Sequence, residues 1–111
     1  MSEVRLGRVE DIPDGGSAGY DIETDRGRRL YMAVRRGEHV FVYVNSCPHV
    51  GTPLDFEPGR FLNLKRTHIL CANHGALFRI DDGYCVSGPC AGKHLEPAAA
   101  EIRAGFLVLS G

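Results

Sequence analysis

The sequence predicts an all-β fold, a small antiparallel sandwich or barrel. Two observations predict it: short β-rich segments follow one another closely, and turn residues separate them. Helical periodicity is absent except within residues 96–103, where Pro97 argues against a helix of any length. At 111 residues the chain is predicted to form one domain, residues 1–111, with a substantial hydrophobic core.

The first part of the chain predicts strands joined by turns. The strand segments are "VRLGRV" (4–9), "YDIET" (20–24), "LYMAV" (30–34) and "VFVYV" (40–44). A loop, "EDIPDGG", follows the first segment. Hairpin turns are predicted at residues 25–27 and at Gly37, so the last three segments should pair in order.

The second part continues the pattern. "HIL" (68–70) and "ALFRI" (76–80) flank a segment that contains a cysteine and a histidine. The Asp-Gly signal in "DDG" (81–83) predicts a tight turn into "YCV" (84–86). "EIRAGFLVL" (101–109) predicts a final hairpin hinged at Ala104-Gly105.

Composition excludes several classes of function. Thirteen basic and 14 acidic side chains give a net charge of −1, which offers no electrostatic basis for binding nucleic acid. No apolar run approaches the roughly eighteen residues that span a bilayer, and the N-terminus lacks the pattern of a signal peptide. A cytoplasmic protein without membrane or nucleic-acid partners is therefore expected. In that compartment the 4 cysteines are more readily metal ligands or thiols than disulfides.

Two segments each combine a thiol with an imidazole. "CPHVG" places Cys47 and His49 one residue apart, and "CANHG" places Cys71 and His74 two residues apart. Both pairs follow predicted strands, where a rigid sheet can aim ligands. One tetrahedral zinc would accept two cysteines and two histidines, but the short Cys-x-His spacing is unusual for it. A two-iron, two-sulfide cluster between two loops also accounts for the nearby Gly51 and Gly75, which would let backbone N–H groups approach the sulfides where a Cβ would hinder them.

The two segments resemble the ligand boxes of the Rieske family, C-x-H-x-G-x-x-L and C-x-x-H-G-x-x-F. The later "SGPC" (87–90) resembles the proline loop that covers the cluster in that family. The resemblance implies one [2Fe–2S] cluster per chain, a Rieske-type cluster-binding subdomain at about residues 45–90, and a split ligand set. One iron would bind Cys47 and Cys71, and the other His49 and His74. The residues expected around the cluster are Gly51, Leu54, Gly75, Ala76, Phe78 and Pro89.

The mixed ligands set the expected reduction potential. Two thiolates neutralise the formal charge of the diferric, two-sulfide core, so an added electron is accepted more easily than by an all-cysteine cluster. Such clusters span about −150 to +300 mV, against about −400 mV for plant-type ferredoxins. High-potential relatives have an extra cysteine in each ligand loop and two hydroxyl donors. Here Ala76 and Phe78 replace the hydroxyl-bearing residues, so a low-potential cluster is predicted.

Three functions are consistent with this pattern. The leading one is a soluble one-electron carrier, not an enzyme, similar to the ferredoxins of aromatic-ring dioxygenase systems. It would accept an electron from a flavin-containing reductase and pass it to a terminal oxygenase or other redox enzyme. The second is the small cluster-bearing subunit of an oxidoreductase such as nitrite reductase. The third is a zinc-stabilised interaction module. A complete oxygenase is excluded because its mononuclear iron needs a second large domain.

Cys85 and Cys90 follow the second ligand pair, and neither is expected beside a ligand. Their spacing would allow a redox-active pair, since a Gly-Pro turn lies between them. The interpretation that we favour is two small buried thiols, Cys85 in a strand and Cys90 in the "SGPC" loop. His39, His68 and His94 are interpreted as surface or hydrogen-bonding side chains.

Overall fold

A computed structural model describes residues 4–24, 27–48, 53–55, 59–71 and 75–109. In this part of the chain nine strands form three antiparallel sheets of three strands each. Their bounds are β1 Val4–Arg8, β2 Ser17–Thr24, β3 Gly27–Arg36, β4 His39–Val44, β5 His68–Leu70, β6 Leu77–Arg79, β7 Cys85–Ser87, β8 Ala100–Arg103 and β9 Phe106–Leu109. A short 3₁₀ helix, Val9–Asp11, follows β1. The predicted all-β class and its antiparallel pairing are confirmed.

The sheet β2-β3-β4 lies between two hydrophobic cores. Four successive residues of β3, 31–34, are buried, so this strand is covered on both faces. Because side chains alternate along a strand, Tyr31 and Ala33 enter the first core, while Met32 and Val34 enter the second core. A continuous apolar run such as "LYMAV" is typical of a strand buried on both faces.

The first core lies against the sheet β1-β9-β8. In this sheet β1 pairs with β9, so the N-terminal strand joins the C-terminal hairpin, and Leu107 and Leu109 pack with Ile12. The hairpin turns at Ala104 and Gly105, whose φ angles are +50° and +82°. The predicted hinge of this hairpin is confirmed.

The second core lies between β3-β4 and the sheet β5-β6-β7. It contains all four cysteines, together with large apolar side chains that include Phe61, Phe78 and Leu95. The strands β5 and β6 pair from His68↔Arg79 to Leu70↔Leu77. This pairing places the second cysteine–histidine segment at the turn of a hairpin, and the candidate site therefore belongs to the second core.

Two strands are longer than predicted. β2 begins at Ser17 and β3 extends over Gly27–Arg36, because the ladder continues through residues of low strand propensity. Gly19 is one such residue: a Cβ there would lie 3.2 Å from the ring of Phe61, so glycine lets this ring pack closely on the strand. None of the described segments forms a helix of the length and apolarity that a bilayer crossing requires.

Candidate metal centre

Cys47 and Cys71 both lie in the second core. Their exposed fractions are 1% and 0%, and each follows the end of a strand, Cys47 after β4 and Cys71 after β5. Their sequence partners His49 and His74 lie outside the described residues, as does Gly51. The structure therefore shows two buried sulfur donors at the entrances of the two predicted ligand loops.

The second ligand loop is closed by backbone hydrogen bonds. The N–H of Cys71 donates to the carbonyl of Ala76 at 2.8 Å, and the N–H of Gly75 donates to the carbonyl of Cys71 at 2.8 Å. The first bond continues the β5-β6 pairing beyond Leu70↔Leu77, and the second joins residues four positions apart. Gly75 has a φ of +71°, a conformation that glycine adopts without strain. These bonds hold the backbone of Cys71 at the base of the loop.

The expectation that Gly75 lets backbone N–H groups approach the sulfides stays a prediction. In the structure the N–H of Gly75 itself donates to the carbonyl of Cys71.

The first ligand loop is closed by the side chain of Asn45. The Oδ1 atom of Asn45 accepts the N–H of Leu54 at 2.7 Å, and its Nδ2 atom donates to Asp55 at 2.9 Å. Asp55 in turn accepts the N–H of Gly59 at 3.2 Å. With an exposed fraction of 7%, Asn45 is a buried polar residue whose hydrogen bonds are satisfied within the protein. It joins the two ends of the segment that contains Cys47.

A third loop, residues 87–92, contacts Cys47 and Ala76, one residue from each ligand loop. We call it the covering loop. At its base the N–H of Cys85 donates to the carbonyl of Lys93 at 2.8 Å. Gly88 lies against Ala76 of the second ligand loop, and the Sγ atom of Cys90 lies 3.7 Å from the Sγ atom of Cys47. One short segment therefore touches both loops that carry the predicted ligands.

Several other predicted site residues are buried near the cysteines. Leu54, Ala76 and Phe78 have exposed fractions of 0% and belong to the same core as Cys47 and Cys71. Pro89 is exposed, at the outer side of the covering loop. The surroundings of the two sulfur donors are thus predominantly apolar.

The structure corrects the interpretation of Cys90. Both Cys85 and Cys90 are buried, as predicted, but Cys90 does lie beside a predicted ligand. Cys85 instead donates its thiol to the carbonyl of Ser87 at 3.2 Å. Local spacing could not reveal the contact of Cys90, because its neighbour Cys47 lies 43 positions away in the chain.

Sequence reasoning also missed Asn45. The available signal was an asparagine immediately after a strand and two residues before a candidate ligand, since asparagine side chains often bond to nearby backbone groups in loops. Its exact partner, the N–H of Leu54, depends on the path of the loop.

The other histidines have local partners. His68 Nδ1 lies 2.9 Å from the hydroxyl of Thr67, His39 stacks on Phe41, and His94 meets the edge of Tyr84. Within the described ranges no three histidine, cysteine or acidic side chains gather as a metal site would require. The interpretation of these histidines as surface or hydrogen-bonding side chains is consistent with their contacts.

The electrostatics of this core are clearest at Tyr43. Its hydroxyl donates to the carbonyl of Ile80 at 2.7 Å, and burial together with the carboxylates of Asp82 and Asp81 raises its pKa to about 12. On the neighbouring turn, the hydrogen bond from Arg79 holds the pKa of Asp82 below its ordinary value. These groups secure the β6-β7 turn below the covering loop.

Comparison with known proteins identifies the class. The sequence model described as "Rieske [2Fe-2S] domain" matches residues 2–103. The chain belongs to the Rieske [2Fe–2S] domain family, and this membership implies one [2Fe–2S] cluster. No curated protein sequence matches the chain.

Solved structures share the fold over nearly the whole chain. The ferredoxin of carbazole 1,9a-dioxygenase from Nocardioides aromaticivorans IC177 is 19% identical, with a TM-score of 0.77, covering 99% of this chain and 98% of its own. The Sphingomonas yanoikuyae B1 ferredoxin is 23% identical, with a TM-score of 0.75 and 99% coverage of both chains. The terminal oxygenase of carbazole 1,9a-dioxygenase from Novosphingobium sp. KA1 is 17% identical, with a TM-score of 0.77, and its match covers 96% of this chain but 29% of the oxygenase. At these identities the likeness establishes a common fold.

The described residues fit a cluster of this kind. Two cysteine sulfurs enter a largely apolar core, and two thiolates leave an oxidised two-iron, two-sulfide centre without net formal charge. A centre without net charge is far less costly to bury than an isolated ion. Leu54, Ala76 and Phe78 are therefore suitable neighbours for it.

Proposed function

We propose that the chain is a one-electron carrier that holds its [2Fe–2S] cluster with Cys47 and Cys71 on one iron and His49 and His74 on the other. The observation that carries this proposal is that Cys47 and Cys71, each at the start of a predicted ligand loop, are buried in one core, and that the covering loop contacts Cys47 and Ala76. Such a cluster supplies reversible storage of one electron. We place the cluster-binding part at about residues 45–90 within one domain.

The hydrogen bonds and packing around Cys47 and Cys71 suit electron transfer because they hold these two cysteines in place. Asn45 fixes the first loop, the Cys71–Ala76 hydrogen bond fixes the second, and the covering loop packs on both. A rigid ligand frame reduces the rearrangement that must accompany each change of charge, as in other preorganised sites. The chain's residues therefore bind the centre and exclude water from it.

The proposed partners are a flavin-containing reductase as donor and a terminal oxygenase or comparable enzyme as acceptor, in the cytoplasm. Support comes from neighbours of similar fold whose descriptions name ferredoxins and complexes of oxygenase with ferredoxin. In this role the protein catalyses no reaction on a substrate of its own. Nucleic acid and membranes are not among the proposed partners.

Metal analysis, visible spectra and ligand substitutions test the cluster. We expect about two irons and two acid-labile sulfides per chain. Substituting Cys47→Ser, Cys71→Ser, His49→Ala or His74→Ala should abolish the visible bands. Cys85→Ser and His68→Ala are matched controls, since both residues lie outside the proposed ligand set, and they should retain the bands. A colourless protein containing one zinc would contradict the proposal.

Carrier function requires a separate test. The oxidised protein should be reduced by NAD(P)H through a flavin reductase and then reoxidised by a terminal oxygenase, followed in the visible bands by stopped flow. Size exclusion of a cell extract should place most of the protein at the size of a small free chain. Elution wholly within a large, stable complex would instead indicate a permanent oxidoreductase subunit.

A further inference from the structure

The thiol of Cys90 is held against the sulfur of Cys47. The two Sγ atoms are 3.7 Å apart, and the residues have exposed fractions of 0% and 1%. This separation is far longer than the disulfide bond length of about 2.05 Å and falls in the range of a hydrogen bond between two sulfur atoms. The contact joins the covering loop to the first ligand loop.

The direction of this hydrogen bond follows from the ligand role of Cys47. Cysteine binds iron as a thiolate, which has no hydrogen to donate. The hydrogen between the two sulfurs must therefore come from Cys90.

We propose that the Cys90 thiol donates a hydrogen bond to the Cys47 sulfur and thereby raises the reduction potential of the cluster. The inference rests on the ligand set given under Proposed function. The added electron increases the negative charge shared by the ligand sulfurs, and a donor at one of these sulfurs stabilises the reduced state more than the oxidised one. Cys90 is thus a positioning and tuning residue that acts through Cys47.

The covering loop fixes this donor. The N–H of Lys93 donates to the carbonyl of Cys90 at 2.8 Å, and the N–H of Ala91 donates to the carbonyl of Gly88 at 3.2 Å. Gly88 is itself packed on Ala76 of the second ligand loop. A donor held in place from both sides needs little rearrangement to follow the charge on its acceptor.

Cys85 provides an internal comparison. It is as buried as Cys90 and begins the strand that leads into the covering loop, but its thiol donates to the carbonyl of Ser87 at 3.2 Å. Its substitution therefore changes a buried thiol nearby without removing the proposed donor to Cys47. The pair Cys90→Ala and Cys85→Ala separates tuning from general loss of packing.

Infrared spectroscopy of the S–H stretch tests the hydrogen bond in the unaltered cluster-containing protein. If Cys47 and Cys71 are iron ligands, two S–H bands should remain, from Cys85 and Cys90. The band that disappears in Cys85→Ala belongs to Cys85, and the band that stays belongs to Cys90. On reduction with dithionite the Cys90 band should move to lower frequency while the Cys85 band stays in place. A Cys90 band that does not move on reduction would overturn the proposal.

Redox titration tests the consequence. Cys90→Ala should move the midpoint to a more negative value, whereas Cys90→Ser keeps a donor and should remain near the parent value, as should Cys85→Ala. A Cys90→Ala protein with full iron content and the parent midpoint would overturn the proposal. If Cys90→Ala loses its iron, the infrared measurement on the parent protein decides. Absence of iron from the parent protein would instead contradict the proposed function.

Discussion

Gly88 lies so close to Ala76 that no side chain fits between them. A Cβ on Gly88 would lie 2.7 Å from the Cα atom of Ala76, and the φ of Gly88 is +99°. This distance is shorter than any ordinary contact between carbon atoms. The Cα atom belongs to the backbone, so it cannot move away by a side-chain rotation. The covering loop can therefore seat on the second ligand loop only with glycine at this position.

Gly88→Ala should loosen the cluster. The backbone angle costs about 1–3 kcal/mol for a residue with a side chain, and the clash adds about 1–3 kcal/mol of overpacking. Because about 1.4 kcal/mol is tenfold in a rate, we expect bleaching in guanidinium chloride to accelerate by roughly fivefold to a hundredfold beyond a control with the same backbone strain. That control is Gly92→Ala, whose φ is +91° with no atom within 4 Å of the added Cβ. Equal bleaching rates for the two variants would show that the contact is unimportant.

Asn45→Ala should release the cluster faster through the other ligand loop. The substitution leaves the buried N–H of Leu54 without its acceptor, at a cost of about 1–3 kcal/mol. Asn63→Ala is the control, since Asn63 likewise accepts backbone N–H groups of a turn, those of Thr67 and His68. The cluster-release rate should rise for Asn45→Ala and stay near the parent rate for Asn63→Ala. The opposite order would argue against a role of Asn45 in holding the first loop.

Alkaline pH should destabilise the fold through Tyr43. Its pKa is about 12 in the folded protein against an ordinary 10.0, so between these values the unfolded chain has lost the proton that the folded chain keeps. Because the unfolded state then binds fewer protons, the free energy of unfolding falls as pH rises, by about 2–3 kcal/mol over this window.

Tyr43→Phe tests this pH dependence. Below pH 10 the variant should be less stable by about 1 kcal/mol, because the carbonyl of Ile80 loses its donor. Between pH 10 and 12 its free energy of unfolding should fall less steeply than that of the parent protein, as measured by denaturant titration at each pH. If the free energy of unfolding fell equally steeply with pH in the two proteins, Tyr43 would not be the source of the alkaline destabilisation.

The cluster should have a low potential for its family. Ala76 and Phe78 are fully buried and carry no hydroxyl that could donate to the cluster. We expect a midpoint below about +100 mV, within the range of about −150 to +300 mV for mixed ligation. Ala76→Ser should raise the midpoint by adding a donor, whereas Ala33→Ser, equally buried but in the other core, should not. A parent midpoint near the upper end of the range would contradict this prediction.

Local sequence predicted the elements of this fold well. The strand segments, the turn at Gly83 and the hairpin at Ala104-Gly105 all depend on neighbouring residues, and the structure has each of them, although β2 and β3 extend well beyond their predicted bounds. The two Cys/His boxes were equally local, which is why their family could be identified from sequence.

Long-range relationships could not be predicted in the same way. The pairing of β1 with β9 joins the two ends of the domain, and no local pattern specifies such a partner. The contact of Cys90 with Cys47 depends on the path of the covering loop. Asn45 was missed because its importance lies in the buried N–H that it satisfies, a property of the folded loop.

The most direct test of the central claim is an EPR spectrum of the dithionite-reduced protein, with pulsed EPR on a sample labelled with ¹⁵N-histidine. We predict an average g value below that of all-cysteine clusters and couplings to two histidine nitrogens. His49→Cys and His74→Cys should each change the g value and the nitrogen couplings, whereas His68→Ala should change neither. An average g value typical of all-cysteine ligation without nitrogen coupling would contradict the account, as would a protein that gives no signal and contains a single zinc.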